Sequence, residues 1–182
     1  MCIMLKLIDA AVVCVFASLV LGVFAIAMPY WFYSETKFPL GWIIIYSGLW
    51  NRCNQTETKS GIGKAVCRHF VSSNELHYIA VTRAFEIIGL LLVATAVILG
   101  LLKWFAVLRS PIFLCITGGL AAAAGCCMIL GGIIFGAKTA VLEDKGGTLH
   151  AGFYFALLSG MFALLGGLMF FRLRLRLRLY AA

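Results

Sequence analysis

GLWNRCNQT, residues 48–56, lies in a polar segment between two long apolar runs. We call this segment, residues 29–77, the first loop. Cys67 follows Cys53 fourteen positions later, and a cysteine pair beside a tryptophan predicts a small disulfide-pinned loop in an oxidising compartment. Asn54 opens an acceptor sequon for N-glycosylation, a modification of the secretory pathway. We therefore expect the first loop to lie outside the cell and to carry much of the function.

Apolar runs make up most of the remaining chain. Of the 182 residues, 63% are hydrophobic and 12% are charged, whereas soluble domains have about 45–50% apolar and about 25% charged residues. We predict an all-α membrane protein, a four-transmembrane-helix bundle that forms a single domain over residues 1–182, because each run reaches the roughly 20 residues that a membrane-spanning helix needs. The four spans are residues 7–28, 78–102, 112–135 and 151–171. The other segments are the first loop, a second extracellular loop and a cytosolic tail, residues 29–77, 137–150 and 172–182.

The distribution of charge sets the expected orientation. Four spans place both termini on the same side, and the short segments on that side hold concentrated lysine and arginine. Short basic segments stay in the cytosol, so both termini are expected there, in agreement with a lumenal sequon. The net charge of +8 then reflects topology and contact with anionic lipid, and we expect no binding of nucleic acid.

Both cytosolic ends carry candidate membrane contacts. The tail alternates leucine with four arginines, and a helix would distribute these arginines over two faces whereas a strand would gather them on one. The tail is either an interfacial segment, with leucines inserted and arginines on lipid phosphates, or a frayed topological anchor. At the other end, Cys2 is a candidate for palmitoylation. The four arginines are Arg172, Arg174, Arg176 and Arg178.

The first loop has the pattern of a small β-sheet. Residues 41–46 are rich in β-branched and aromatic residues, and the polar, glycine-containing segment between the two cysteines resembles a hairpin. A disulfide would clamp the two strands of this hairpin, and closing a loop of about 15 residues stabilises a fold by about 3 kcal/mol. Trp50 is expected either to pack near the disulfide or to reach toward the lipid headgroups.

Two charges lie within the otherwise apolar second run. Arg83 and Glu86 are three residues apart, so they share a helix face and can pair. Because Arg83 lies near the outer end of this helix, we expect it to donate hydrogen bonds to carbonyl groups of the first loop. Such bonds would hold the loop on the bundle.

Small residues recur at four-residue spacing in three of the runs, and small residues allow helices to pack closely in lipid. They serve either packing within the bundle or self-association. The stripes are Ala10, Cys14, Ser18 and Gly22 in the first run, Gly118, Ala122, Gly119, Ala123, Gly132 and Gly136 in the third, and Gly152, Ala156 and Gly160 in the fourth.

The sequence gives no indication of catalysis. The three histidines, His69, His77 and His150, do not form a metal-spaced set, and no Ser-His-Asp or paired-carboxylate arrangement occurs in the sequence. We expect no enzymatic activity, no cofactor and no metal site.

Seven residues together resemble a known family: Trp31, Gly48, Leu49, Trp50, Cys53, Cys67 and Arg83. They match the W…GLWxxC…C signature of the claudin/PMP22/EMP/MP20 superfamily, with an arginine at the start of the second span. The resemblance implies a left-handed four-helix bundle that carries a small extracellular antiparallel β-sheet with a Cys53–Cys67 disulfide. The interval of thirteen residues between the cysteines exceeds the usual claudin interval, and residues 179–182 lack the terminal valine by which many claudins engage PDZ scaffolds. The EMP/MP20-like branch is therefore favoured over a strict claudin.

The resemblance also implies a function. It indicates a plasma-membrane protein, expected also at cell junctions, that mediates cell–cell contact, adhesion or junction and membrane organisation through its first loop. The alternative is a paracellular pore or an auxiliary subunit of an ion channel. The expected partners are the lipid bilayer, other copies of the chain in cis or in trans, and other membrane proteins. Residues 42–46 and 137–150 are the expected contact surfaces, unless residues 42–46 pack on lipid headgroups or on the sheet.

Overall fold

Four helices form the bundle in a computed structural model that describes residues 2–39, 41–58, 61–69, 77–105, 110–143 and 147–181. The helices are α1 Cys2–Ala27, α2 His77–Trp104, α3 Ile112–Glu143 and α4 Ala151–Ala181. Each contains a stretch that is long and apolar enough to cross a membrane. The predicted four-helix membrane fold, with the lipid bilayer as its environment, is therefore confirmed.

Prolines mark two of the helix ends. α1 ends two residues before Pro29, and α3 begins directly after Pro111, because a proline cannot continue a helix but is tolerated where one starts. The N–H of Ile112 also donates to Ser110 Oγ at 3.5 Å, which helps to cap the first turn of α3. These local signals fix where the chain leaves and re-enters the bundle.

Small residues let the helices approach one another closely. A Cβ on Gly125 in α3 would lie 2.6 Å from the carbonyl oxygen of Gly160 in α4. The hydroxyl of Ser159 in α4 donates to the carbonyl oxygen of Ser18 in α1 at 2.7 Å. By contrast, a Cβ on Gly119 would have no neighbouring atom within 4 Å. Part of the predicted small-residue pattern thus serves packing within the bundle.

Apolar side chains fill the space between these close contacts. The main core cluster takes residues from all four helices, among them Val15, Val93, Met128 and Phe170. A second, smaller cluster lies where the helices meet the sheet.

The first loop forms most of an antiparallel sheet. Its strands are β1 Phe32–Phe38, β2 Gly41–Ser47, β3 Asn51–Thr58, β4 Gly61–Ile62 and β5 Val66–His69, and β6 Gly147–Leu149 comes from the segment between α3 and α4. The strand order is β4-β3-β2-β1-β6, and β5 pairs with β3. Cys53 lies opposite Cys67 in the register of β3 and β5. The predicted hairpin between the two cysteines is present, with the short strand β4 added to it.

Two segments are more regular than the sequence indicates. Residues 137–143, placed in the second loop by hydropathy, continue α3, and residues 147–149 add β6 to the sheet. Residues 172–181 continue α4, so the tail arginines are distributed over two helix faces. Hydropathy detects where a chain becomes polar, whereas backbone hydrogen bonding decides where a helix ends.

Candidate functional site

Trp31 lies at the centre of the contact between sheet and bundle. Its side chain is fully buried, and its ring meets that of Phe135 in α3 edge-on, with 5.0 Å between centroids. The indole Nε1 donates to the carbonyl oxygen of Ala25 in α1 at 2.7 Å, so the polar atom of the side chain has its partner. A Cβ on Gly152 in α4 would overlap the indole. Trp31 therefore joins three helices at one point.

The backbone of Trp31 links the two loops. Its N–H donates to the carbonyl oxygen of Ser47 at 2.8 Å, and its own carbonyl oxygen accepts from the N–H of His150 at 3.0 Å. The N–H of Gly152 donates to the carbonyl oxygen of Tyr30 at 2.8 Å. The start of α4 is thus hydrogen-bonded to the start of the sheet.

The turn formed by Gly48, Leu49 and Trp50 lies against the end of α1. A Cβ on Gly48 would lie 2.7 Å from the carbonyl oxygen of Met28, so this close approach requires a glycine. Leu49 is fully buried in the smaller core cluster. Trp50 Nε1 donates to the carbonyl oxygen of Ile26 at 2.9 Å, while 41% of the residue stays exposed. The tryptophan thus fixes the turn to α1.

Arg83 holds the same turn from α2. Its Nε donates to the carbonyl oxygen of Leu49 at 2.5 Å, and its guanidinium carbon lies 5.2 Å from the centroid of the Trp50 ring, within range of a cation–π contact. The expected donation to a first-loop carbonyl is present. The pair with Glu86 that the spacing allows does not form: among the described residues, neither buried carboxyl oxygen of Glu86 has a hydrogen-bond partner. Arg83 is directed toward the sheet instead.

A disulfide joins Cys53 to Cys67, as predicted. It connects β3 with β5, and the two Cα atoms are 4.0 Å apart. Cys53 is buried and Cys67 is exposed. Because a short hairpin is at best marginally stable in water, this bond fixes β5 to the rest of the sheet.

One face of the β3–β5 pair is basic. Side chains alternate between the two faces of a strand, so Arg52 and Asn54 share a face with Val66 and Arg68, and Arg52 lies directly opposite Arg68. These four residues line a shallow pocket of about 360 Å³. The sequon asparagine, Asn54, is exposed there.

The opposite face of the sheet has a mixed charge. In the strand register it carries Glu35, Lys37 and Glu57, and Lys37 Nζ lies 5.3 Å from the centroid of the Trp42 ring. Burial raises the pKa of Tyr33, and the charges of Glu35 and Glu57 raise it further. The two faces therefore differ in electrostatic character.

The other predicted residues lie away from this contact. Arg172 to Arg178 belong to the last turns of α4, at the end of the bundle opposite the sheet. Cys2 is the first residue of α1, but its side chain lies outside the described residues. Within the described part of the chain, no group of three or more His, Cys, Asp or Glu residues could hold a metal ion.

Sequence reasoning missed the part played by the segment between α3 and α4. Gly147–Leu149 pairs with the start of β1, and His150 packs against the rings of Tyr30 and Tyr33, with 5.9 Å between centroids in both cases. A strand of three residues has too little pattern to be recognised locally. Its partner lies more than one hundred positions earlier in the chain.

The comparison with protein families agrees with this geometry. The sequence profile of the PMP-22/EMP/MP20/Claudin family matches residues 4–170, a range that includes the whole sheet and nearly all of the bundle. No individual curated protein matches the sequence.

Proposed function

This chain belongs to the PMP-22/EMP/MP20/Claudin family, and from that membership and its geometry we propose that it mediates cell–cell contact or membrane organisation through its first loop. The observation that carries the proposal is a sheet fixed rigidly to the bundle with an exposed outer strand. In this proposal the sheet is extracellular, both termini are cytosolic and the protein acts in the plasma membrane without catalysis. The preference for the EMP/MP20-like branch stays a prediction.

The outer strand β5 offers a surface for pairing with another chain. Its four residues, Val66–His69, are all exposed, and among the described strands β5 pairs with β3 alone. An open strand edge presents unpaired N–H and C=O groups that a second strand can use. The disulfide keeps this edge in a fixed position, so a second copy of the chain is a suitable partner.

An exposed tryptophan lies on β2 of the same sheet. Trp42 is 38% exposed and Val66 on β5 is 60% exposed. Large apolar side chains exposed beside polar ones are typical of protein contact surfaces. In the strand register Trp42 lies on the face with mixed charge and Val66 on the basic face, so we propose one contact surface on each face of the sheet.

Mixing two differently labelled populations of expressing cells tests adhesion. The protein should concentrate where two expressing cells meet, and the double variant Trp42→Ala, Val66→Lys should lose most of this enrichment. A matched control, Trp104→Ala with Leu175→Lys, changes the same kinds of exposed residue near the opposite end of the bundle and should keep it. No enrichment of the unaltered protein, or equal loss in both double variants, would reject the proposal.

A paracellular pore is the second candidate, and the basic pocket on the β3–β5 pair favours it. Arg52 and Arg68 lie opposite each other on an exposed face, which would attract anions. Reversing one charge with Arg68→Glu should lower the permeability of chloride relative to sodium in an epithelial monolayer. An unchanged permeability ratio would reject the pore.

Two modifications complete the proposal. Glycosylation of Asn54 would agree with an extracellular sheet. If Asn54 is glycosylated, treatment with an N-glycosidase should lower the apparent mass of the protein. Palmitoylation of Cys2 would agree with a cytosolic start of α1, and hydroxylamine-sensitive labelling tests it. Both stay predictions.

A further inference from the structure

Three cations from two helices meet at the end of the bundle opposite the sheet. Lys6 of α1 and Arg172 and Arg176 of α4, together with Leu7, line a cleft of about 290 Å³. We call this the basic cleft. All three cationic residues are exposed, so a ligand from the surrounding solvent or lipid can reach the cleft.

The helical tail brings two of the four tail arginines into this cleft. Successive residues of a helix are rotated by about 100°, so Arg172 and Arg176 share a face, whereas Arg174 and Arg178 share a face that is centred about 160° away. Leu173 is buried in the main core, and Leu177 packs against it. This packing sets the rotation of the last turns of α4, so the cleft is part of the fold and not a chance arrangement of a free tail.

The basic cleft has a net positive charge within the described part of the chain. Asp9 is one turn further along α1 than Lys6, and its carboxylate accepts from Trp104 Nε1 at 2.8 Å; an indole carries no charge, so this bond does not offset the carboxylate. No side-chain hydrogen bond or ion pair of Lys6, Arg172 or Arg176 occurs among the described residues. Three cations beside one carboxylate favour an anionic ligand.

The position of the cleft indicates which anion it would meet. Lys6 is where the apolar stretch of α1 begins, and Arg172 directly follows the apolar run of α4. Cations at the ends of membrane spans lie at the level of the lipid phosphates, and Leu7 gives the cleft an apolar side for an acyl chain. A soluble anion has no acyl chain to place against that apolar side.

We propose that the basic cleft is a binding site for the headgroup of a phospholipid that carries phosphomonoester groups. A phosphomonoester has a charge of about −1.5 to −2 at neutral pH, so one or two such groups match three cations better than a single phosphodiester does. Arginine forks suit phosphate oxygens. In the cell this inference rests on the proposed cytosolic placement of the tail, but binding itself does not depend on orientation.

The test uses the purified full chain in detergent and measures the binding of dioctanoyl phosphatidylinositol bisphosphate by titration. Arg172→Gln with Arg176→Gln should weaken binding about 25-fold, since each lipid–arginine contact contributes about fivefold. Arg174→Gln with Arg178→Gln removes the same charge from the other face and should change the affinity less than about twofold. Lys6→Gln, on a different helix, should weaken binding about fivefold. Wild-type elution in size-exclusion chromatography shows that each variant is folded.

Three outcomes would overturn the proposal. Equal weakening by the two arginine pairs would show diffuse attraction to charge, with no defined site. Equally tight binding of soluble inositol trisphosphate would identify a free phosphate compound as the ligand instead of a lipid. Equally tight binding of dioctanoyl phosphatidylserine would show that phosphomonoesters are not recognised. Because these measurements use no cells, they can fail while the adhesion proposal holds, and the reverse is also true.

Discussion

The sheet end and the middle of the bundle differ in how their polar side chains are paired. At the sheet end, Trp31, Trp50 and Arg83 each donate to a backbone carbonyl of another element. In the middle of the bundle, Ser159 donates to the carbonyl oxygen of Ser18, but Glu86 is fully buried and its carboxyl oxygens have no hydrogen-bond partner among the described residues. The sheet is thus held by directional bonds, whereas the helices are held mainly by close packing at small residues such as Gly125.

The largest effect is expected at Trp31. Trp31→Ala removes a fully buried ring and its hydrogen bond to α1, and truncations of this kind cost about 3–5 kcal/mol. Unfolding of the purified protein in mixed micelles should show this loss of free energy. The control is Trp104→Ala, since Trp104 is 50% exposed at the opposite end. If both variants lose the same stability, the sheet end has no special role.

The disulfide is expected to have the next largest effect, confined to the sheet. Cys53→Ala with Cys67→Ala removes a closure of about 15 residues, worth about 3 kcal/mol. Limited proteolysis should then cut the first loop faster while the helices stay protected, because the helix packing does not depend on the bond. Reducing the unaltered protein should reproduce the result. Equal protection of the first loop in the variant would contradict it.

The contrast explains what the sequence could predict. Hydropathy reveals four spans, and the spacing of Cys53 and Cys67 within a polar loop indicates the hairpin. The position of Arg83 at the start of a span predicts that it meets the loop. Its spacing from Glu86 also allows a pair, but the choice between Glu86 and Leu49 depends on tertiary contacts that no local pattern contains.

For the same reason, the sequence does not indicate which groups accept the hydrogen bonds of Trp31 and Trp50. Ala25 and Ile26 accept through their backbone carbonyl oxygens. Every residue type has such a carbonyl, so residue type does not identify the acceptor. β6 is only three residues long, so its pattern is too short to detect. The features that the sequence predicts depend on side-chain chemistry. The features that it does not predict depend on where the backbone lies in the fold.

Close packing in the middle of the bundle predicts a third, smaller effect. A side chain on Gly125 would meet the carbonyl oxygen of Gly160, and a backbone cannot move aside as a flexible side chain can. Gly125→Val should therefore destabilise the bundle by about 1–3 kcal/mol in the same micelle assay. Gly119→Val in the same helix is the matched control, because nothing lies within 4 Å of its Cβ position. Equal losses would mean that helix propensity, not close approach, explains the effect.

The smallest effect is expected at Glu86, and it has the opposite sign. A buried polar group without a partner costs about 1–3 kcal/mol, and replacing it with an apolar side chain of similar length removes that cost. Glu86→Met should therefore raise the free energy of unfolding by about 1 kcal/mol, measured as for the other variants. Glu86→Gln should change it less, because the amide would also lack partners. A Cβ on Gly131 in α3 would lie 3.2 Å from Glu86 Oε1, so the end of the side chain packs against a glycine, and methionine places a side chain of similar length there.

The sign of the Glu86→Met result decides how the middle of the bundle is to be understood. A gain in stability would show that the carboxyl is tolerated by packing alone, in contrast to the hydrogen-bonded sheet end. A loss of more than about 1 kcal/mol would show that Glu86 stabilises the helices in the membrane through a partner beyond the described residues, such as lipid or another chain. In that case both regions would follow the rule that buried polar groups are hydrogen-bonded, and the contrast between them would disappear.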